Sequence, residues 1–240
     1  MPGILYAIPS PLGGVAIDAL PASALLTVRS LRDFVVENAK TARAFLKSVG
    51  CDPKEVRIRE LNEKVSVHEL LQPVREQRSL GLLSEAGCPA IADPGALLVE
   101  AAHREGIRVV PLVGPSSIVL ALMASGLEGQ RFAFCGYLPR EPEGRKRKIR
   151  ELEARSRKER ETQIFIETPY RNDALFGALL QACRSETLVC VASDLTLNSQ
   201  DVRTKSVAQW RGARHAIGKR PTVFLLLSVD RQARAREKFE

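Results

Sequence analysis

The sequence has no long apolar run. None approaches the roughly 20 residues that a helix needs to span a bilayer, so no membrane partner is expected. The first residues, MPGILYAIPS, place no basic residue ahead of their short apolar stretch, which argues against a secretory signal. We therefore expect a cytoplasmic protein. Its 240 residues are 45% hydrophobic and 27% charged, enough to bury one or two cores.

Cysteine and histidine are few and scattered. The five cysteines show no C-x-x-C spacing and the three histidines stand far apart, so no metal site is expected. The sequence also lacks G-x-x-x-x-G-K-[ST], G-x-G-x-x-G, H-E-x-x-H and G-x-S-x-G. Phosphate-loop enzymes, dinucleotide-dependent enzymes, zinc proteases and serine hydrolases therefore have no support from these motifs.

Predicted strands and helices alternate along the chain, which favours an α/β fold. The first half contains predicted strands at 4–8, 34–37, 56–61, 80–85 and 107–112, with helices over about 38–49, 66–78 and 96–106. The second half contains four predicted strands, at 131–138, 162–167, 187–193 and 222–229, with only two long helices between them. We therefore expect an N-terminal α/β domain with a parallel sheet over 1–113 and a C-terminal α/β domain with a mixed sheet over 114–240.

Three loops rich in glycine and proline follow predicted strands. They are PSPLGG (9–14), SEAGCPAIADPG (84–95) and PLVGPSS (111–117). Glycine permits close approach of the backbone and proline restricts the turn, so such loops suit a ligand held by main-chain groups. Any one of them alone is explained as a tight turn, but three at successive strand ends of one sheet favour a ligand site.

Positive charge is concentrated late in the sequence. Residues 1–139 carry 14 Lys or Arg against 14 Asp or Glu, whereas 140–160 carry ten against five and 203–240 ten against three. One interpretation of 140–161 is a solvated helix with paired charges. The other is a nucleic-acid-binding arm in which Arg145, Lys146, Arg147, Lys148 and Arg150 contact phosphates.

Five segments in order carry a family resemblance. They are LYAIPSPLGG, LLSEAGCPAIADPG, VVPLVGPSS, GYLP (136–139) and FIETPYR (165–171). Together they resemble the tetrapyrrole methylase superfamily, specifically its bacterial small-subunit ribosomal RNA 2′-O-ribose (cytidine) methyltransferases. The corresponding segments there are close to LYxxxTPIGN, SDAGTPxxSDPG, VxPxPGPSA, GFLP and FYESPHR. The match is gapless within motifs and covers about residues 3–229.

The resemblance implies a two-domain α/β fold of the class III S-adenosylmethionine (SAM) methyltransferases. In that family SAM binds in a cleft between the two domains, and the loop 84–95 corresponds to the segment that wraps it. The matching motifs imply cofactor contacts from Pro9, Ser84, Ala86, Gly87, Ile91, Ser116 and Ser117 in the first domain, and from Ile166, Ala192 and Pro221 in the second. Glu85 and Cys88 replace the usual Asp and Thr of this loop, which are modest changes.

Larger departures fall where the chemistry is expected. The family segments Glu-Asp-Thr-Arg, Arg-Glu-Leu-Thr-Lys and Lys-Gly-Glu correspond here to 37–40, 193–197 and 219–221. Transfer to a ribose hydroxyl needs in-line alignment and a group that accepts the hydroxyl proton. The remaining candidates for catalytic roles are Glu37, Lys40, Glu167, Arg171 and Asp194. For two of these residues a non-catalytic role stays open. Glu37 is then a solvated carboxylate at the end of a strand, and Arg171 forms an ion pair with Glu167.

Three functions remain open from the sequence. The first is a SAM-dependent 2′-O-ribose methyltransferase acting on ribosomal or another structured RNA, supported by the basic second half. The second is a small-molecule methylase of tetrapyrrole type, and the third is a SAM-binding paralogue without transferase activity, suggested by the departures. The chain also ends soon after its last predicted strand, which suggests a shortened paralogue lacking a helical RNA-contacting segment. The resemblance further implies a homodimer through the C-terminal domain.

Overall fold

A computed structural model describes residues 3–62, 65–213 and 215–228. The chain divides into two compact units, Met1–Ser116 (unit 1) and Ser117–Glu240 (unit 2). Parts of the basic segment 203–240, namely 214 and 229–240, lie outside the described residues, as does the last position of the predicted strand 222–229. Within the described residues, no helix is both long and apolar enough to cross a membrane.

Unit 1 alternates strands and helices along the chain. Its elements are β1 (Ile4–Ile8), α1 (Ala16–Ala19), α2 (Ala22–Ser30), β2 (Asp33–Val36), α3 (Ala39–Ser48), β3 (Arg57–Glu60), α4 (Val67–Leu70), α5 (Gln72–Arg75), β4 (Leu80–Leu83), α6 (Ala96–Arg104) and β5 (Arg108–Pro111). The five strands form one sheet in the order β3-β2-β4-β1-β5, and every pairing is parallel.

The central strands of this sheet are covered on both faces. Every residue of β2 and of β4 is buried, as expected for a parallel sheet enclosed by helices. The packing is close at Gly81, where an added Cβ would lie 2.7 Å from the ring of Phe34 and 2.8 Å from Ile8. Glycine is required there because no larger side chain fits between these two neighbours.

The strand order creates a topological switch point in unit 1. From β1 the chain moves past β4 to reach β2, whereas from β4 it moves past β1 in the opposite direction to reach β5. Open α/β sheets bind ligands outside the carboxyl ends of the strands at such a point. The loops 9–14 and 84–95 leave the sheet there, which places two of the three predicted ligand loops side by side.

The described part of unit 2 runs from a helix at its start to a strand near residue 228. Its elements are α7 (Ser117–Ser125), β6 (Phe132–Tyr137), α8 (Pro142–Glu159), β7 (Thr162–Ile166), a 3₁₀ turn (Pro169–Arg171), α9 (Asn172–Ala182), β8 (Leu188–Ser193), β9 (Asp201–Ser206), α10 (Val207–Arg211) and β10 (Thr222–Leu227). The sheet order is β6-β7-β10-β8-β9, with β6 and β7 parallel and the other pairs antiparallel.

Aromatic side chains fill the core of unit 2. Phe176 meets Trp210 edge to face with ring centres 5.2 Å apart, and Phe165 stacks on Phe224. The indole N–H of Trp210 donates to the carbonyl of Val189 at 2.9 Å, so the buried ring leaves no polar atom unsatisfied. This core holds α8, α9 and α10 against the sheet.

Two sequence predictions about local structure need correction. The predicted helix over 66–78 is two short helices, α4 and α5, because Pro73 has no N–H to continue α4 and instead lies in the first turn of α5. The strand β9 and the helix α10 were not predicted. β9, with sequence DVRTKS, lies at the edge of the sheet, where no full apolar face is needed.

Candidate functional site

The loops after β1 and β4 are joined by a small ladder. The N–H of Ser10 donates to the carbonyl of Gly87 at 2.8 Å, and the N–H of Gly87 donates back to the carbonyl of Ser10 at 2.9 Å. The hydroxyl of Ser10 donates to the carbonyl of Ser84, and that of Ser84 to the carbonyl of Gly87. The predicted cofactor residues Ser84 and Gly87 are therefore fixed at the switch point.

The segment after β5 packs against the same two loops. The thiol of Cys88 donates to the carbonyl of Pro115 at 3.5 Å. An added Cβ at Gly114 would lie 2.5 Å from the Cβ of Pro9, so backbone and ring are in close contact. The three predicted ligand loops therefore converge within unit 1, and Pro9 lies buried at their centre.

The far part of the loop 84–95 has an unusual backbone. Gly87 has φ of 76°, and Ala90 and Ala92 have φ of 66° and 64°. Alanine rarely adopts this left-handed conformation, so the surrounding structure must impose it. Between the two alanines Ile91 is 49% exposed, and Ala86 is also exposed. The loop therefore presents backbone and small apolar groups to solvent.

Three carboxylates meet at this edge of the sheet. Glu37 follows β2, while Glu85 and Asp93 belong to the loop after β4. Burial and the charges of Asp93 and Glu85 raise the pKa of Glu37 to about 7. Burial also raises the pKa of Asp93, opposed by its hydrogen bond with Glu37. That bond raises the pKa of Glu37 and lowers that of Asp93, which places the shared proton on Glu37.

Asp93 was not among the predicted site residues. Its Oδ2 atom is buried and has no hydrogen-bond partner among the described residues. The only sequence signal for it was its position in the ADPG segment of the ligand loop. Proximity to Glu37, which is 56 positions away by numbering, depends on the pairing of β2 with β4.

Lys40 lies at the start of α3, three positions after Glu37. Asn38 caps the helix, because its Oδ1 accepts the N–H groups of Lys40 at 2.9 Å and Thr41 at 3.3 Å. The hydroxyl of Thr41 donates to Glu85 at 3.3 Å. Lys40 is exposed and makes no ion pair with a described residue, so its ammonium remains available.

In unit 2 two predicted catalytic residues form an ion pair. The guanidinium of Arg171 donates to Oε1 of Glu167 through Nε at 3.0 Å and through a second, shorter bond. The N–H of Thr168 reaches the same oxygen at 2.7 Å. The Glu167 side chain is fully buried, and its Oε2 has no partner among the described residues. The alternative in which Arg171 pairs with Glu167 is therefore what the structure contains.

Asp194 is also engaged within unit 2. Burial alone would raise its pKa, but hydrogen bonds from Arg220 at 2.7 Å and Ser199 at 2.9 Å lower that pKa below its usual value. Its N–H donates to the carbonyl of Pro221. A carboxylate held this way remains ionised and is a poor proton acceptor, because protonation would break two hydrogen bonds.

Two of the three predicted cofactor residues of unit 2, Ile166 and Ala192, lie on either side of one residue of β10. Val223 of β10 pairs with Ile166 of β7 on one side and with Ala192 of β8 on the other. Directly opposed residues of antiparallel strands point to the same face, so these three side chains adjoin. Pro221 is exposed just before β10. Val223 was not among the predicted residues, and only the strand register shows that it lies between Ile166 and Ala192.

The remaining predicted cofactor residues lie where the two units are divided. Ser116 is the last residue of unit 1, and Ser117 is the first of α7. Both are half-buried.

The five predicted phosphate-contacting residues do not share one surface. Arg145 is buried on the packed side of α8, its Nε has no partner among the described residues, and it reaches only the carbonyl of Arg140. Lys146 pairs with Glu143 and Lys148 with Glu151, each at 3.2 Å. Arg147 and Arg150 are exposed. Burial removes Arg145 from the surface that the other four cations present.

The groups at the switch point of unit 1 fit SAM chemically. A sulfonium cation is favoured by the acidic cluster of Glu37, Glu85 and Asp93, which keeps a net negative charge when Glu37 is protonated, and the unpartnered Oδ2 of Asp93 is an acceptor for a ligand N–H. Three converging loops provide main-chain groups for an adenine and for the ends of the methionine moiety. No nucleophilic side chain is needed, and the Cys88 thiol is occupied by its bond to a carbonyl.

Comparison with protein families agrees with this geometry. Residues 18–210 match the model of the family described as Tetrapyrrole (Corrin/Porphyrin) Methylases. The solved structure of the methyltransferase CobJ superposes with a TM-score of 0.64 at 16% identity, covering 94% of both chains. That of uroporphyrin-III-C-methyltransferase from Thermus thermophilus gives 0.56 at 20% identity, again over 94% of both chains. These similarities confirm the predicted fold class.

Curated relatives share more of the sequence. A protein from Vibrio cholerae serotype O1 named ribosomal RNA small subunit methyltransferase I is 32% identical over 86% of this chain and 69% of its own length. The protein of that name from Xylella fastidiosa is 33% identical over 81% of this chain and 69% of its own. The protein of that name from Bacillus subtilis is 32% identical over 81% of this chain and 64% of its own length.

Proposed function

Because the chain belongs to the tetrapyrrole methylases, a family of SAM-dependent methyltransferases, we propose that it methylates a ribose 2′-hydroxyl of ribosomal or another structured RNA. The observation that carries the proposal is the hydrogen-bonded pair Glu37 and Asp93 at the switch point. It supplies a carboxyl group that exchanges a proton near neutral pH, next to loops suited to SAM. The identity of about 30% to proteins named ribosomal RNA methyltransferases supports RNA as the acceptor.

Bound SAM supplies an electrophilic methyl group on a sulfonium. When SAM and the acceptor are bound, the Glu37 carboxylate would accept the proton of the ribose hydroxyl as that oxygen is methylated. A pKa of about 7 makes Glu37 deprotonated in about half of the molecules at neutral pH. Asp93 accepts the hydrogen bond of protonated Glu37 and so orients the carboxyl group. The main chain at Ser84 and Gly87 holds the adjoining loop in place.

We propose the remaining cofactor contacts from the family motifs. In the loops of unit 1 they are Pro9, Ala86, Ile91, Ser116 and Ser117. In unit 2 they are Pro221 and an apolar row of Ile166, Val223 and Ala192. Lys40 is a further candidate for contact with the acceptor, because its charge is exposed and unpaired among the described residues. We assign no proton transfer to Glu167, Arg171 or Asp194, because each is already in an ion pair. These pairs hold the local structure of unit 2 instead.

One observation favours the alternative of a SAM-binding protein without transferase activity. Three of the five candidate catalytic residues are held in internal pairs, and the family segment Lys-Gly-Glu is replaced at 219–221. A small-molecule methylase has less support, because likeness to CobJ at 16% identity concerns the fold alone.

The test compares acceptors with labelled SAM. Purified protein is incubated with small-subunit ribosomal RNA, with assembled small subunits and with uroporphyrinogen, and SAM binding is measured separately by calorimetry. The proposal predicts label in RNA as a 2′-O-methyl nucleotide. Label in uroporphyrinogen alone would establish the small-molecule function. SAM binding without transfer to any acceptor would support the inactive paralogue, and absence of SAM binding would overturn all three.

We also propose that the protein is a homodimer through unit 2. The side chains of Val119, Met123 and Phe132 are 49%, 74% and 44% exposed around an apolar depression between α7 and β6. Exposed apolar surface of this kind marks interaction sites. Light scattering distinguishes a dimer from a monomer of 26.4 kDa.

A further inference from the structure

Tyr170 is an exposed aromatic side chain held beside a lysine. Its side chain is 80% exposed, and the Nζ of Lys219 lies 5.0 Å from the centre of its ring. Tyr170 follows β7 and Lys219 precedes β10, so both lie at the edge of the unit 2 sheet where β7 and β8 end. Lys219 covers one face of the ring, and an exposure of 80% leaves the other face open to solvent.

The backbone beneath Tyr170 is fixed on both sides. Pro169 begins the 3₁₀ turn, and the N–H of Arg171 donates to the carbonyl of Thr168 at 2.9 Å. The guanidinium of Arg171 is tied to the buried carboxylate of Glu167. The ring therefore projects from a rigid turn rather than from a loose loop.

Lys219 is tied to the same turn. The amide of Asn172 donates to the carbonyls of Gly218 at 3.1 Å and Arg220 at 2.7 Å, while Asp173 accepts the N–H of Ile217 at 2.8 Å. Asn172 and Asp173 directly follow the turn that carries Tyr170. One short stretch of chain thus positions both the ring and the lysine, which lowers the entropy lost when a ligand binds to them.

The charge of Lys219 is not neutralised within the described part of the chain. Two carboxylates that contact the neighbours of Lys219 are already used: Asp194 pairs with Arg220, and Asp173 accepts the N–H groups of Ile217 and Gly218. A free cation beside an open aromatic face complements a flat base next to a phosphate. Stacking on aromatic side chains and cationic contacts to the backbone are how proteins bind single-stranded nucleic acid.

We propose that Tyr170 and Lys219 form a platform that stacks one unpaired base of the RNA acceptor and contacts a neighbouring phosphate. This inference rests on the proposed function and specifies that its substrate is single-stranded at the contact. The platform would reject a continuous duplex, in which bases are already stacked on one another.

The experiment measures binding of a fluorescein-labelled single-stranded oligoribonucleotide and of the same sequence as a duplex. Tyr170→Ala should weaken single-strand binding on the order of tenfold, whereas Tyr170→Phe should retain it because the ring is kept. Leu26→Ala is the control, since Leu26 is an exposed apolar side chain on α2 of unit 1 and lies outside every surface to which a role is assigned. Binding equal to wild type for Tyr170→Ala, or an equal loss for the duplex, would overturn the platform.

A second measurement tests the lysine. Lys219→Gln should flatten the dependence of log affinity on log salt by roughly 0.7, the value for one phosphate contact on a single strand. The control is Lys158→Gln, because Lys158 is exposed at the C-terminal end of α8. This variant should leave the slope unchanged. Equal slopes for wild type and Lys219→Gln would contradict the phosphate contact.

Failure of this inference and failure of the proposed function give different results. If wild type binds RNA and the Tyr170 and Lys219 variants match it, only the platform is wrong. If wild type binds SAM but no RNA, the proposed function itself is wrong and the platform with it. Calorimetry with SAM and thermal melting of every variant show that the folded protein is being compared.

Discussion

The two units build sheets of equal strand number with opposite chemistry. Lys and Arg balance Asp and Glu in unit 1, so the whole net charge of +8 belongs to unit 2. Unit 1 gathers backbone loops and three carboxylates at the carboxyl edge of its sheet, whereas unit 2 presents cations and an exposed tyrosine. The proposed function assigns different roles to the two surfaces, with the cationic cofactor at the carboxylates of unit 1 and the polyanionic acceptor at the cations of unit 2.

Sheet topology explains part of this contrast. In the all-parallel sheet of unit 1 every strand ends at the same edge, so successive loops converge there and contact one another. In the mixed sheet of unit 2 that edge also receives the chain entering β10, which brings the 217–220 segment against the turn after β7. The first arrangement concentrates main-chain groups, and the second brings side chains from distant positions together.

The largest expected effect concerns the carboxylates of the two units. Glu37→Gln should lower the rate of methyl transfer by about 10² to 10⁴, the usual contribution of a general base. In wild type the rate should rise with pH through about 7, as Glu37 loses its proton. Asp194→Asn in unit 2 is the matched control and should cause a much smaller loss. Single-turnover rates across pH provide the measurement, and equal losses for the two variants would remove Glu37 from proton transfer.

The next effect concerns the glycines. Gly114→Val should displace Pro9, because an added Cβ would lie 2.5 Å from the Cβ of Pro9, and should weaken SAM binding by more than tenfold. Overpacking of this kind also costs stability, about 1–3 kcal/mol. Gly129→Val in unit 2, where an added Cβ meets nothing within 4 Å, is the control. Calorimetry measures SAM affinity and thermal melting shows whether the variant is folded. Unchanged SAM affinity in a folded Gly114→Val protein would contradict a SAM site at the three converging loops.

Gly87→Val is a less selective test of the SAM site at these loops. The φ of Gly87 is 76°, a region that a β-branched residue scarcely enters, so this variant strains the backbone as well as filling space. Loss of binding would then not separate the cofactor contact from the fold.

A smaller effect concerns the charge of unit 2. Replacing Lys146, Arg147, Lys148 and Arg150 with Gln should flatten the salt dependence of RNA binding by about three units in the log–log slope, at roughly 0.7 per phosphate contact. The matched control replaces Arg155, Arg157, Lys158 and Arg160 near the other end of α8. Filter binding against salt provides the slopes. Superimposable slopes for wild type and the first variant would favour a solvated helix.

The smallest effect is on stability. Because the folded protein raises the pKa of Glu37 from 4.5 to about 7, the folded state binds more protons than the unfolded state between these values, and this group destabilises the protein as pH rises through them. Glu37→Gln should therefore melt higher than wild type at pH 8 and at nearly the same temperature at pH 4. Melting curves that differ equally at both pH values would contradict the carboxyl pair.

Apolar patterning predicted most of the sheet, because buried strands need continuous apolar residues. It failed for β9, whose edge position tolerates polar residues, and for the helix broken at Pro73. The motif resemblance placed Ser84 and Gly87, which lie together at the switch point. It did not identify Asp93 or Val223, since their neighbours Glu37 and Ile166 are distant in sequence and adjoin them only through strand pairing.

The α/β class, the order of most elements, the three loops rich in glycine and proline and the excess of cations in the second half follow from the sequence, because each depends on local composition or motif. Tertiary structure alone decided the state of the individual groups. Arg145 is buried among exposed neighbours, hydrogen bonds from Arg220 and Ser199 lower the pKa of Asp194, and burial beside two carboxylates raises the pKa of Glu37 to about 7. The physical reason is that burial and charge pairing depend on residues brought together across the sheet, which their spacing in the sequence does not contain.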